Sequence, residues 1–306
     1  MCPMPPSQGV EIALLTERRF RASQAPEGDG FLANILHEDR LLSEAFRAIG
    51  FHAVRVDWSD PTIDWSRFRA AVFRTTWDYF TRFAEFNSWI GLVETQTTLC
   101  NAPSIVRWNM DKHYLLDLER QGVPIVPSRF LERGSAVAVA ALLEETGGSQ
   151  AIVKPCVSGG AHHTYRVDRE NAEEIDSIVG PLLQDVSMMF QPFLEEIVRT
   201  GEDTLMVIDG RYTHAVRKVA KPGDFRVQAE FGGTVQDLVP TSEHIEVAER
   251  AMAACSPAPA YGRVDMVRDH EGRLAVMELE VIEPELWLRY HPPAAEAMAR
   301  GIVRSL

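Results

Sequence analysis

Lysine is scarce in this chain: of 31 basic residues only Lys112, Lys154, Lys218 and Lys221 are lysine. Arginine carries the general surface charge, so each retained lysine is a candidate for a place that needs a compact ammonium. Cysteine is equally sparse. Cys2, Cys100, Cys156 and Cys255 show neither C-x-x-C spacing nor the density of a disulfide framework, which points to a reducing cytoplasm. No apolar run is long enough to cross a bilayer, and the opening MCPMPPSQGV lacks the charged start and apolar stretch of a signal peptide. Positive charge is in deficit: 31 basic against 44 acidic residues leave a net charge of −13, unsuited to nucleic acid or an anionic membrane. Internal repeats and low-complexity tracts are absent too.

What is present is globular. The 306 residues are 45% hydrophobic and 25% charged, enough for two or three lobes, and a homo-oligomer is left open. Val10–Leu15, Phe51–Val56 and Phe68–Phe73 read as strands, alternating with helical stretches Phe31–Ile49 and Glu85–Thr95. That alternation predicts a small parallel α/β lobe, whose third strand runs into Arg74-Thr75-Thr76-Trp77-Asp78-Tyr79. Such sheets place ligands at the carboxyl ends of their strands, although Trp77 and Tyr79 serve equally well as packing aromatics. Further on, Ser104–Gln121 and Glu132–Thr146 read as helices, Val123–Pro127 as an extended segment, and Thr204–Val207 and Tyr212–Lys218 as strands.

The stretch Tyr261–Pro284 carries the most chemistry. With period two, Val276, Glu278, Glu280 and Ile282 share one strand face, and Ala275, Met277, Leu279 and Val281 share the other. A turn centred on Glu271 and Gly272 sets Asp265 opposite Glu278. Three carboxylates then converge in a segment too hydrophobic to be exposed. Half-buried carboxylates repel unless a cation joins them, and oxygen-only ligands suit Mg²⁺ or Mn²⁺. The alternative is a surface hairpin with a solvated acidic face.

Ala151–Pro155 is a short buried strand that delivers Lys154 to its end, before a loop with Ser158, Gly159 and Gly160. Glycines let backbone amides approach a polyphosphate, and lysine adds a point charge, although Ser-Gly-Gly alone is a common loop. The strand ending at Gln191-Pro192-Phe193-Leu194 breaks at proline, freeing backbone groups for an adenine edge or for a crossover between lobes. Glu202 reads alone as a solvated turn residue, Lys112 as a helix-surface lysine, and Arg226 as part of an alternating strand before Gly232-Gly233. His162 and His163 flank the glycine loop as bystanders or proton carriers, and Cys156 has no base beside it that would make it a nucleophile.

The order is more specific than its parts. Lysine, strand lysine with glycine loop, hinge, acidic residue, arginine, aspartate and Glu-x-Glu together resemble the ATP-grasp ligase family, over roughly residues 101–284. The resemblance implies an α/β ATP-grasp fold with a parallel α/β substrate-side domain over 1–100. It also implies two α+β lobes clamping ATP, the central one with the phosphate lid over 101–190 and the C-terminal one with the metal site over 191–306. It implies ATP and magnesium as cofactors and a small amino-acid-like substrate. Lys112 and Lys154 would hold phosphates under the lid Ser158-Gly159-Gly160, Gln191 to Leu194 would take the adenine, and Glu202 the ribose. Arg226, with Lys154, would serve the transferring phosphoryl group, and Asp265, Glu278 and Glu280 would hold the metal. Glu280 departs from the asparagine that the family often has there.

Trp77-Asp78-Tyr79, Trp108–Lys112 and Met277–Trp287 further resemble the family's cyclo-ligases of D-cycloserine formation. That implies phosphorylation of the carboxylate of O-ureido-serine, then ring closure by the substrate's own nitrogen. The substrate pocket would come from the 74–79 loop and the 283–290 segment, with Trp77, Asp78, Glu283 and Arg289 as candidates. An amino-acid or dipeptide ligase is the nearest rival. The interleaved lysines and hinge argue against a glycosidase, and the full set of charged residues argues against a silent nucleotide sensor.

Overall fold

The computed structural model describes residues 10–306; the opening segment with Cys2 lies outside the described residues. The first sheet contains β1 (Val10–Thr16), β2 (Phe51–Asp57), β3 (Phe68–Thr75) and β4 (Thr98–Cys100), parallel throughout in the order β2-β1-β3-β4. Helices α1 (Gly30–Ala48) and α2 (Phe83–Val93) cover its faces. Asp29 caps α1 by accepting from Leu32 N, and Leu32, Ile35, Asp39, Leu42 and Phe46 recur on its buried side. The acidic Asp39 at a core position of that stripe already marks a buried ion pair.

A short helical pair follows, α3 (Pro103–Asn109) and α4 (Tyr114–Arg120), where a single helix over 104–121 was expected. Asp111 Oδ1 accepts from His113 N at 3.0 Å, and Lys112 N donates to Cys156 O at 2.9 Å, so the chain turns where a helical bond would be. The break takes Lys112 off the surface and buries it.

The second sheet is antiparallel, with strands β5 (Arg129–Leu131), β6 (Gln150–Pro155), β7 (Tyr165–Asp168) and β8 (Met188–Pro192) in the order β5-β8-β6-β7. Helices α5 (Val139–Glu145) and α6 (Ala172–Asp185) bury Val139, Leu142, Val179 and Leu183 against Val153 and Phe190. α5 begins later than the expected start at Glu132 because the chain first turns, with Ser135 N donating to Glu132 O at 2.9 Å and Gly134 N to Leu183 O at 2.6 Å. The extended residues 123–127 form no ladder, only a bridge between Ile125 and Val276.

The third sheet follows the short α7 (Glu196–Arg199). It holds β9 (Glu202–Ile208), β10 (Arg211–Val219), β11 (Thr234–Asp237), β12 (Tyr261–Arg268) and β13 (Leu274–Glu280), antiparallel in the order β11-β10-β9-β12-β13. Helix α8 (Ser242–Ala253) packs on one face, and α9 (Pro293–Arg304) joins the first and third sheets. Ile12, Phe46, Met206, Tyr261 and Met298 thus share one core, which fixes the first sheet against the third. Among the described residues no helix is long and apolar enough to cross a membrane.

One strand reading needs correction. A bulge at Met277 leaves Met266 opposite Val276 but Asp265 opposite Glu278, so two residues of β13 oppose one step of β12. Val276 therefore joins Leu279 and Val281 in the core, while Ala275 and Met277 pack with Val126 and Leu194 on the other face. The expected Asp265–Glu278 pair is reached all the same: beside the turn Arg268 faces Leu274, one residue out of the expected register, and the bulge restores it.

Candidate active site

A cleft of about 730 Å³ opens where the three sheets meet. Its floor is the β12–β13 hairpin. Asp265, Glu278 and Glu280 each present an oxygen within 4.8 Å of the others, and Arg263 pairs opposite Glu280. Cations surround them: Lys112 Nζ lies 3.1 Å from Glu278, Lys218 Nζ 3.0 Å from Asp265, and Arg263 2.7 Å from Asp265 and against Glu280. Thr204 donates to Asp265 at 2.9 Å.

The carboxylates differ in protonation. Burial opposes ionisation of all three, but Arg263 and Lys218 hold Asp265 well below its usual range, and Lys112 and Lys154 hold Glu278 below. Glu280 is pushed up to about 7, by burial that Arg263 only partly offsets and by repulsion from Glu278 and Asp265. Such an all-oxygen set suits a hard divalent ion, whose charge would let all three ionise together.

Glu202 belongs to this cluster, not to a solvated turn. It opens β9, is buried, and pairs with Lys218. Gly201 makes the approach feasible: its φ is +104°, and a Cβ there would lie 2.5 Å from Lys218 O.

Lys154 faces the same carboxylates from β6. Among the described residues its ammonium has no hydrogen-bond or salt-bridge partner, and burial lowers its pKa despite the attraction of Glu278. Lys112 keeps its charge: burial works against it, but Glu278 raises its pKa, and its Nζ also donates to Ser158 O at 2.7 Å.

The 158–163 loop closes one side. Ser158 Oγ donates to His162 O at 2.9 Å, and Ala161 and His163 take φ of 58° and 51°. Gly159 lies so close to Phe80 that a Cβ would come within 3.0 Å of the ring, and His162 packs on the same ring at 5.6 Å. Burial pushes the Cys156 thiol well above its usual range, which removes it as a nucleophile.

Gln191, Pro192 and Leu194 line the cleft at the end of β8, while Phe193 turns away to pack under Arg166 and against Phe225. The Phe193 N–H is taken by Gln150 O at 3.1 Å. Arg226 lines the opposite wall from a loop, not a strand. It is held by Asp224 at 2.7 Å and lies 3.7 Å from the centre of the Phe231 ring.

Residues 12–101 match the family model of the D-cycloserine synthetase DcsG N-terminal domain, and residues 127–256 match the ATP-grasp domain of prokaryotic glutathione synthetase. The cycloserine biosynthesis protein DcsG of Streptomyces lavendulae is 34% identical over 285 residues, 87% of this chain and 92% of its own. The chain belongs to the DcsG family of ATP-grasp ligases. The crystal structure of D-cycloserine synthetase DcsG superposes with a TM-score of 0.84 at 31% identity, covering 96% of this chain and 99% of that one. D-Alanine–D-alanine ligase from Bacillus anthracis, complexed with ATP, shares the fold with a TM-score of 0.66 at 15% identity over 96% of each chain. Enzymes of this fold use ATP with divalent metal ions.

In this DcsG-family ligase the first sheet closes the remaining side of the cleft. Trp77, Glu283 and Arg289 line it, and Trp77 Nε1 donates to Glu283 O at 2.8 Å. Burial and repulsion from Glu280 raise the Glu283 carboxyl well above its usual range. Asp78 is not brought to the cleft. Its oxygens are taken by Trp58 Nε1 at 2.8 Å and Arg82 at 2.7 Å, an assignment that sequence spacing could not reveal.

Asp78→Ala should therefore lower stability by about 1–2 kcal/mol, through the unpaired Trp58 and Arg82, and leave both Michaelis constants unchanged. Glu283→Ala should raise KM for the amino-acid substrate several-fold and leave that for ATP near its original value. Melting curves and both constants on the same preparations check the contrast.

Among the cleft residues to which the sequence reading gave no individual role are Lys218, Arg263 and Glu38, and also Arg74 and Trp287, which lay inside the expected pocket segments without being singled out. Lys218 carried a signal in being one of four lysines. Arg263 carried another, two residues before Asp265 and thus on its face of the strand.

Proposed function

We propose that this ligase converts O-ureido-D-serine to D-cycloserine. ATP phosphorylates the substrate carboxylate, and the substrate's own nitrogen attacks the acyl phosphate. The five-membered ring closes with release of ADP and phosphate, and water cleaves the N-carbamoyl bond, so that the carbamoyl group leaves as carbamic acid, which decomposes to carbon dioxide and ammonia. The observation that carries this reading is the 34% identity with the cycloserine biosynthesis protein DcsG along nearly the whole chain.

The geometry suits the chemistry. Carboxylate and γ-phosphate repel, so transfer needs positive charge already in place. Lys112 and Lys154 lie beside the carboxylate floor, and Arg226 stands on the opposite wall. Asp265, Glu278 and Glu280 would hold magnesium, which supplies charge neutralisation to the phosphates when bound. The 158–160 loop would exclude water from an acyl phosphate that hydrolyses readily. Leu194, whose N–H has no partner among the described residues, would offer it to the adenine at the end of β8. Ring closure is intramolecular, so the wall formed by the first sheet need only fold the substrate into a reactive conformer.

The test is ADP release with O-ureido-D-serine as sole amino acid, with mass detection of the product. Cycloserine formed in step with ADP is the expected result. ADP formed only when two amino acids are supplied together would instead establish a dipeptide ligase.

A further inference from the structure

A buried donor without an acceptor is rare, because folding strips away the hydrogen bond that water had made with it. Two such donors line this cleft on the side of the first sheet. Arg74 is 2% exposed; its Nε donates to Asp39 at 3.2 Å and its Nη2 to Glu38 at 3.4 Å, but Nη1 has no partner among the described residues. Trp287 is 3% exposed, and its indole N–H has none either.

Both side chains are held in place. Trp287 sits at φ 45°, a conformation strained for a bulky residue and found where surroundings enforce it. His214 donates to the preceding carbonyl, Leu286 O, at 2.8 Å, and the Arg263 guanidinium lies 5.5 Å from the indole centre. Arg289, two residues on, bonds Glu38 at 2.5 Å and so joins the Trp287 segment to the acid that holds Arg74. The wall is neutral: Arg55, Arg74 and Arg289 pair with Asp39, Glu38 and Glu285. A neutral wall with spare donors offers little to a second carboxylate and much to an uncharged carbonyl.

We propose that Arg74 and Trp287 determine substrate specificity by donating to an uncharged amide- or urea-type carbonyl on the side chain of the amino-acid substrate, away from the carboxylate that is phosphorylated. This rests on the ligase reading above and names the group that the first sheet selects.

Trp287→Phe keeps the ring and removes the N–H, so it carries the test even where Arg74→Met, which strands Glu38 and Asp39, fails to fold. Trp287→Phe should raise KM for O-ureido-D-serine roughly tenfold, with KM for ATP, the melting temperature and inhibition by D-serine, which lacks the carbonyl, all unchanged. An unchanged KM for O-ureido-D-serine, or an equal weakening of D-serine inhibition, would overturn the proposal while leaving the function intact. A wild-type enzyme that does not turn over O-ureido-D-serine would overturn the function and the proposal with it.

Discussion

Glu278→Gln should lower Mg²⁺-dependent turnover about a thousandfold, equivalent to several kcal/mol of lost transition-state stabilisation. The warrant is the convergence of Asp265, Glu278 and Glu280 within 4.8 Å on one hairpin. Replacing one carboxylate by an amide removes charge that the ion needs, while the side chain's volume is conserved. Glu278 is half-buried but pairs with the buried Lys112, so its variant should melt somewhat below wild type. Asp265→Asn should be as inactive but less stable, because Arg263 and Lys218 would remain buried beside a neutral amide. Rates near wild type for Glu278→Gln at millimolar magnesium would remove the hairpin as a metal site.

Lys154→Ala should cost about a hundredfold or more in kcat/KM, with most of the loss in nucleotide-dependent steps. Stability should not follow activity. Lys154 has no partner among the described residues and burial already lowers its pKa, so its removal relieves desolvation and should leave the melting temperature equal or higher. Lys154→Arg should recover little, since a planar fork at the end of a buried strand cannot stand in for a compact ammonium. Full recovery by arginine, or a large drop in melting temperature for the alanine variant, would mean that the lysine serves the fold and not the phosphates.

Much of this site is written locally. Asp265 and Glu278 meet within a single hairpin, so their pairing is legible from alternation and a turn, although the register is completed by a bulge at Met277 that those signals do not show. Lys154 at a strand end and the break at Pro192 are likewise short-range features, legible from spacing. The parallel first sheet follows from alternating apolar periods, which is why its strands match the expected ones to within a residue or two.

The rest depends on which elements meet. The turn that buries Lys112 needs Cys156 O as an acceptor from a distant strand, so no window around Lys112 contains its cause. Asp78 has the look of a pocket residue until Trp58 and Arg82 take both its oxygens. Arg74, Glu38 and Arg289 come from two lobes, and only their packing makes a neutral wall with spare donors. The sequence by itself determined the parallel α/β lobe and the convergence of carboxylates, because periodicity and charge act over a few residues. The order of its motifs carried the resemblance that implied the ATP-grasp fold and the lysines' roles. Only the tertiary structure decided which side chains face the substrate, because a side chain's free hydrogen-bonding capacity is what remains after its long-range partners have been met.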